Sequence, residues 1–277
     1  MPAIPTADGD CSLHYRARGD GQPLVFVHGG WLNGEMWDAQ VEHFSDRYRV
    51  VAVDLAGHGE TDTAARDDYS VGAAADDLAT LVAELDLDAP VLCGLSLGSL
   101  VVQAYAADRP EAVAGAILCG TMRTFPPIPI TPLQQRFLFP KPSIHAAIRT
   151  FGPGAYFRGL LGGIRSVEGG RWLALDDDAR AYALAQVDRF STEEFIKVFD
   201  ALYEFEPRDL SALSAPTLLL HGDREASTLV AQTGQLERSL PNASRTTVAD
   251  AAHLANMDNP TGFNAALDDF LADHASR

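Results

Sequence analysis

The sequence predicts an α/β fold: a mostly parallel, doubly wound sheet carrying an inserted helical cap. Three observations predict it. Short apolar runs of strand length alternate with longer stretches of helical periodicity. Runs such as Pro23–Val27 and Pro90–Gly94 are apolar at every position, as befits strands covered on both faces. The alternation lapses from Met122 to about Pro207 and then resumes, so a core of 1–121 and 208–277 is expected to be split by a cap of 122–207.

Each element has its own signal. Leu13 to Arg18 reads as a strand entered through the Asp8-Gly9-Asp10 turn. Pro23–Val27 follows the Gly19-Asp20-Gly21 turn and ends in His28-Gly29-Gly30. A helix is expected from Glu35 to Phe44, then a buried strand, Arg49–Val53, ending at Asp54. Gly57-His58-Gly59 is a loop. Ser70 caps a helix to Leu85, with Val71, Ala74, Leu78, Leu81 and Val82 on one face. Pro90–Gly94 is a strand, Leu97 to Ala107 a helix, and Val113 to Cys119 a strand. Within the insertion, Phe125 to Phe157 mixes prolines with aromatics, and Asp177 to Tyr203 reads as helical. The rhythm then returns as strand Thr217–Leu220, helix Thr228–Leu240, strand Arg245–Val248 and helix Thr261–Ala272. In such a sheet, sites lie at the strands' C-terminal ends.

Composition narrows the function classes. The 277 residues are 47% hydrophobic, enough for a sizeable core. Cys11, Cys93 and Cys119 are too few and too scattered for a disulfide framework or a zinc site. The N-terminus lacks a basic region followed by an apolar run, and no stretch is long enough to cross a bilayer. A cytoplasmic protein is therefore expected. With 38 acidic and 21 basic residues the formal charge is -17, which argues against nucleic acid and anionic membranes as partners. Only Lys141 and Lys197 are lysines. An acid-rich, lysine-poor surface resembles those of salt-in halophiles, and a GC-rich genome is the rival account. Seven basic residues, Arg123, Arg136, Lys141, Arg149, Arg158, Arg165 and Arg171, fall between Met122 and Leu175 against Glu168 alone. They are expected to pair with acids elsewhere, the alternative being attraction of an anionic substrate.

One motif carries chemistry. Gly94-Leu95-Ser96-Leu97-Gly98 follows a strand and opens a helix. A serine on so cramped a turn needs glycine neighbours, and the turn pushes its hydroxyl out of the sheet beside the helix's free N–H groups. His253, just after the last strand, is the candidate base. The strand ending at Leu220 runs into His221-Gly222-Asp223-Arg224-Glu225, where a carboxylate to orient that histidine is available. With Ser96, acid and His253 in that order, and with His28-Gly29-Gly30, the Asp54 to Thr61 segment and Asn259-Pro260, the whole chain resembles the α/β-hydrolase superfamily, in its capped esterase and lactonase-like branch.

The resemblance implies an α/β-hydrolase fold and a Ser96-His253-Glu225 triad. The family usually places aspartate three residues after the glycine that follows the strand, and here that position is Glu225, with Asp223 as the competing acid. It also implies an oxyanion hole from the N–H of Leu97 and that of Gly30, with Trp31 as second choice. His28, His58 and His221 are loop supports, and neither a metal nor a cofactor is required. His14 and His145 are expected at the surface, and Trp37 in the core. Trp31, Phe125 and Phe137 are candidate pocket residues. The implied activity is a serine hydrolase acting on a small-molecule carboxylic ester or lactone, as monomer or homodimer. Carbon–carbon bond hydrolase, thioesterase, cofactor-free perhydrolase and a ligand-binding protein without turnover remain open alternatives. Ser96 argues against the epoxide hydrolases and haloalkane dehalogenases, which use aspartate there.

Overall fold

The computed structural model describes residues 2–61 and 67–274. Its centre is an eight-stranded sheet. In chain order the strands are β1 (Ala3–Pro5), β2 (Ser12–Arg18), β3 (Pro23–Val27), β4 (Arg49–Val53), β5 (Val91–Leu95), β6 (Gly115–Cys119), β7 (Thr217–Gly222) and β8 (Ala243–Val248). They lie in the order β1-β2-β4-β3-β5-β6-β7-β8, with β1 and β2 antiparallel and the rest parallel. The chain moves outward from β3 to β4, then returns to the other side of β3 as β5. That reversal opens a crevice at the C-terminal ends of β3 and β5. Register pairs Val27 with Gly94, so the loop after β3 and the turn after β5 leave the sheet side by side.

The helices of the first half are α1 (Asp38–Phe44), α2 (Val71–Glu84) and α3 (Leu97–Asp108). Ser70 caps α2 as expected, accepting from Ala73 N at 3.1 Å. Before α1 the chain makes a 3-10 turn, Gly34–Trp37, which delivers Trp37 into the core. That ring is fully buried and stacks on Phe26 at 4.8 Å. Helix α3 is buried continuously from Leu97 to Ala106, because the sheet, α2 and the loops enclose it.

Between β6 and β7 the chain forms α4 (Pro132–Leu138), α5 (Lys141–Phe151), α6 (Pro153–Glu168), α7 (Asp177–Arg189) and α8 (Thr192–Tyr203). The prolines that gave Phe125 to Phe157 an irregular look are helix starts: Pro132, Pro142 and Pro153 each stand in a first turn, where no N–H is needed. The short strand β1 was missed from the sequence; it holds only three residues and pairs with β2 alone. After β7 come α9 (Ser227–Ser239), then, beyond β8, α10 (Ala255–Asp258) and α11 (Pro260–His274).

Candidate active site

Ser96 sits between β5 and α3 with φ +54° and ψ −116°, a conformation that L-residues rarely adopt. The flanking glycines are steric requirements. A side-chain carbon on Gly94 would overlap the Gly98 carbonyl, and one on Gly98 would overlap the carbonyl of Val27. The turn is anchored by Ser96 N–H donating to Cys119 O at 2.9 Å. Behind it lies a buried polar cluster that the sequence did not signal: Ser99 Oγ lies 2.9 Å from Thr121 Oγ1, to which Gln103 Nε2 donates at 2.8 Å.

The loop after β3 brings Gly30 against this turn. A carbon added at Gly30 would lie 3.7 Å from Leu97 Cβ. Neither the Gly30 nor the Leu97 N–H donates to a protein acceptor among the described residues. Trp31 differs, since its N–H donates to His58 Nε2 at 3.1 Å. His58 in turn donates from Nδ1 to Ala56 O, and His28 donates from Nδ1 to Gly29 O while accepting from Leu55 N. Both rings are thus held neutral by backbone on two sides. Burial, and then the His28 ring 4.9 Å away, push His58 down to about 3. Asp54 explains the glycine-rich segment after β4. Its carboxylate accepts from Gly34 N (2.6 Å), Glu60 N (3.0 Å) and His14 Nδ1 (3.0 Å), and a carbon on Gly59 would strike it. His14 is therefore buried rather than at the surface, and His145 is half-buried against Asp200 at 2.8 Å.

His253 follows β8 and donates from Nδ1 to Glu225 Oε2 at 2.8 Å, with the two side chains 4% and 1% exposed. Burial pushes the Glu225 carboxyl up, but His253, Ala226 N–H and the Trp172 indole outweigh it and hold the group below the usual carboxylate range. Asp223, the competing acid, instead accepts from Ala251 N at 3.2 Å and is 35% exposed. Gly120, at the end of β6 with φ +52°, makes room for the imidazole: a carbon there would lie 2.8 Å from His253 Cε1. The end of β6 thus touches both the Ser96 turn, through Cys119 O, and the His253 ring. No hydrogen bond joins Ser96 Oγ to His253 in this arrangement; such bonds often tighten only when substrate binds.

Trp172, in the segment between α6 and α7, was not singled out from the sequence. Its indole N–H donates to Glu225 Oε1 at 2.6 Å and its ring stacks on His253 at 4.5 Å. Asp258 was missed as well. It accepts from Leu175 N and Asp176 N on one oxygen and from Ala252 N on the other, tying that segment to the histidine loop.

The candidate pocket residues separate. Trp31 is buried and stacks on Phe195 of α8 at 4.6 Å, and a carbon at neighbouring Gly30 would lie 3.6 Å from Val198. Phe125 packs on Phe199 and lines a cleft of about 1000 Å³ with Gln135, Arg136 and Tyr203. Phe137 does not join them. It is 83% exposed on α4, a helix that buries none of its residues. Of the seven basic residues, Lys141, Arg149, Arg158 and Arg171 meet Glu204 and Asp200, Glu193, Asp188 and Asp177, acids that lie later in the insertion. Among the described residues no group of three or more His, Cys, Asp or Glu side chains could hold a metal ion.

Comparison with known proteins gives a consistent set of likenesses. The profile of the alpha/beta hydrolase family matches residues 24–266. The non-heme chloroperoxidase CPO-A1 of Kitasatospora aureofaciens is 29% identical over 98% of this chain and 99% of its own. The 3-oxoadipate enol-lactonase 2 of Acinetobacter baylyi is 26% identical over 94% of this chain and 92% of its own. Among solved structures, a malate-bound thermophilic esterase from Thermogutta terrifontis superposes with a TM-score of 0.81 at 27% identity, covering 99% of this chain and 100% of that one.

Proposed function

Because the chain belongs to the α/β-hydrolase family, we propose that it is a serine hydrolase that cleaves a carboxylic ester or lactone through an acyl-enzyme. What supports this reading most is the buried 2.8 Å bond between His253 and Glu225, set at the end of β6 beside the strained Ser96 turn. The likeness to an esterase and an enol-lactonase over nearly the whole chain adds to it. His253 Nε2 takes the Ser96 proton as Oγ attacks the acyl carbonyl. The free N–H groups of Gly30 and Leu97 receive the oxyanion, each worth about 3 kcal/mol of transition-state stabilisation. The leaving alcohol takes the proton from His253, and water, deprotonated by the same imidazole, releases the acid. Glu225 keeps Nδ1 protonated, so that Nε2 stays the basic nitrogen, and stabilises the imidazolium. Segment 122–207 acts as the cap, with Trp31 and Phe125 on the pocket side.

The test is hydrolysis of a p-nitrophenyl acyl ester series by wild type and Ser96→Ala. Turnover that vanishes in the variant supports the serine mechanism, and chain-length preference sizes the acyl pocket. Turnover that survives overturns it. The likeness to a chloroperoxidase favours one second reading, perhydrolysis, in which hydrogen peroxide replaces water at the acyl-enzyme. Peracid formation from acid and peroxide would mark it.

A further inference from the structure

We propose that Trp172 is a positioning residue for the His253–Glu225 pair, and that the pair is fully set only when the Trp172 segment is docked on the histidine loop. The inference rests on the serine-hydrolase reading. The Glu225 side chain has one more rotatable bond than an aspartate in the same place, so its carboxylate must be fixed from more than one direction. Each oxygen is accounted for: Oε2 faces His253 Nδ1 at 2.8 Å, and Oε1 receives Trp172 Nε1–H at 2.6 Å and Ala226 N–H at 2.9 Å. Removing the indole donor leaves Oε1 held by the Ala226 N–H alone, which loosens the carboxylate about its last torsion and leaves a buried acceptor short of a charge-assisted bond.

The ring has a second task. It lies 4.5 Å from the imidazole at an interplanar angle of 28°. It therefore backs one face of His253 and offers a π surface to the imidazolium that forms when Ser96 is deprotonated. Trp172 is itself held by the loop it supports. Its carbonyl accepts from His253 N at 2.9 Å, and the carbonyl of Leu173 accepts from Leu254 N at 3.0 Å. Asp258 then takes Leu175 N at 2.8 Å, Asp176 N at 2.9 Å and Ala252 N at 2.8 Å. Segment 172–176 is thus laced to the histidine loop, and the acid, the base and the tryptophan form one unit. Another titratable neighbour of Glu225 is the buried Cys119, whose thiol burial pushes up and keeps neutral.

The experiment is a double-mutant cycle on an ester that wild type turns over, using Trp172→Phe, Glu225→Asp, the double variant and Ser96→Ala. Trp172→Phe keeps a stacking ring and removes the N–H. It is expected to lower kcat about tenfold, one hydrogen bond to a charged group, with KM within about twofold. In Glu225→Asp the shorter carboxylate already loses the indole, so adding Trp172→Phe should cost less than about twofold more. Melting temperatures separate loss of fold from loss of positioning. Independently of turnover, the downfield NMR proton of the His253–Glu225 bond should shift in Trp172→Phe. An unmoved resonance with unchanged kcat overturns the proposal, as do equal losses in both backgrounds. Ser96→Ala that keeps full turnover overturns the hydrolase reading and this inference with it. A dead Ser96→Ala beside a fully active Trp172→Phe overturns this inference alone.

Discussion

Glu225 and Asp223 stand two residues apart on one loop and meet opposite surroundings. The first is enclosed and bonded to His253; the second is partly open to solvent and bonded to the Ala251 backbone. Glu225→Gln is therefore expected to lower kcat by about 10³ to 10⁴, because a neutral amide no longer enforces the Nδ1–H tautomer. Asp223→Asn keeps an acceptor for Ala251 N and should leave kcat within about twofold. Steady-state kinetics on one ester checks the pair. A local motif marks Ser96, chain order marks His253, and the offset from Gly222 marks Glu225 with Asp223 as its rival; of these, the structure brings His253 and Glu225 into contact. Trp172 was not legible. It stands in no motif, and its partner Glu225 lies 53 residues away. Phe137 misled for a related reason: an aromatic in the insertion looks like a pocket wall until its helix is seen to face outward.

The loops around the crevice depend on neutral, buried histidines, and this makes them acid-sensitive. His58 is pushed down to about 3, first by burial and then by His28, against an ordinary value of 6.5. Its contribution to stability is complete above pH 6.5, where the unfolded chain is also neutral. It is lost progressively as pH falls from 6.5 towards 3, because only the unfolded state takes up the proton. His28, also lowered, mainly by burial, acts in the same direction. In His58→Gln stability should fall less steeply as pH drops from 6 to 4, by about the one proton that the unfolded chain takes up at this ring, measured by urea titration at each pH. The buried strands β3 and β4 matched their expected bounds, since continuous apolar runs between turns leave little freedom. The insertion was less legible. Prolines that start helices carry the same letter as prolines that break them, so the sequence does not mark α4 to α6.

Across the whole molecule the charge of -17 coexists with a local basic stretch in which Arg149, Arg158 and Arg171 pair with acids on α7 and α8. These pairs are exposed, and at molar salt, where the Debye length is about 3 Å, they contribute little. The acidic surface is proposed to be an adaptation to salt. Melting temperature should then rise steeply from dilute buffer to molar KCl, and a flat profile in differential scanning calorimetry would remove that account. No helix among the described residues is long and apolar enough to cross a membrane. The lacing of segment 172–176 to the histidine loop bears, finally, on recombination. Residues 122–207 form one continuous stretch that leaves and re-enters the sheet at neighbouring strands, which invites exchange between relatives as a route to new specificity. A chimaera joined at those ends would discard Trp172 and leave Asp258 Oδ1 and the N–H groups of His253 and Leu254 without their partners. A crossover placed at Gly170 instead leaves that support with the host, so the exchangeable module is shorter than the insertion itself.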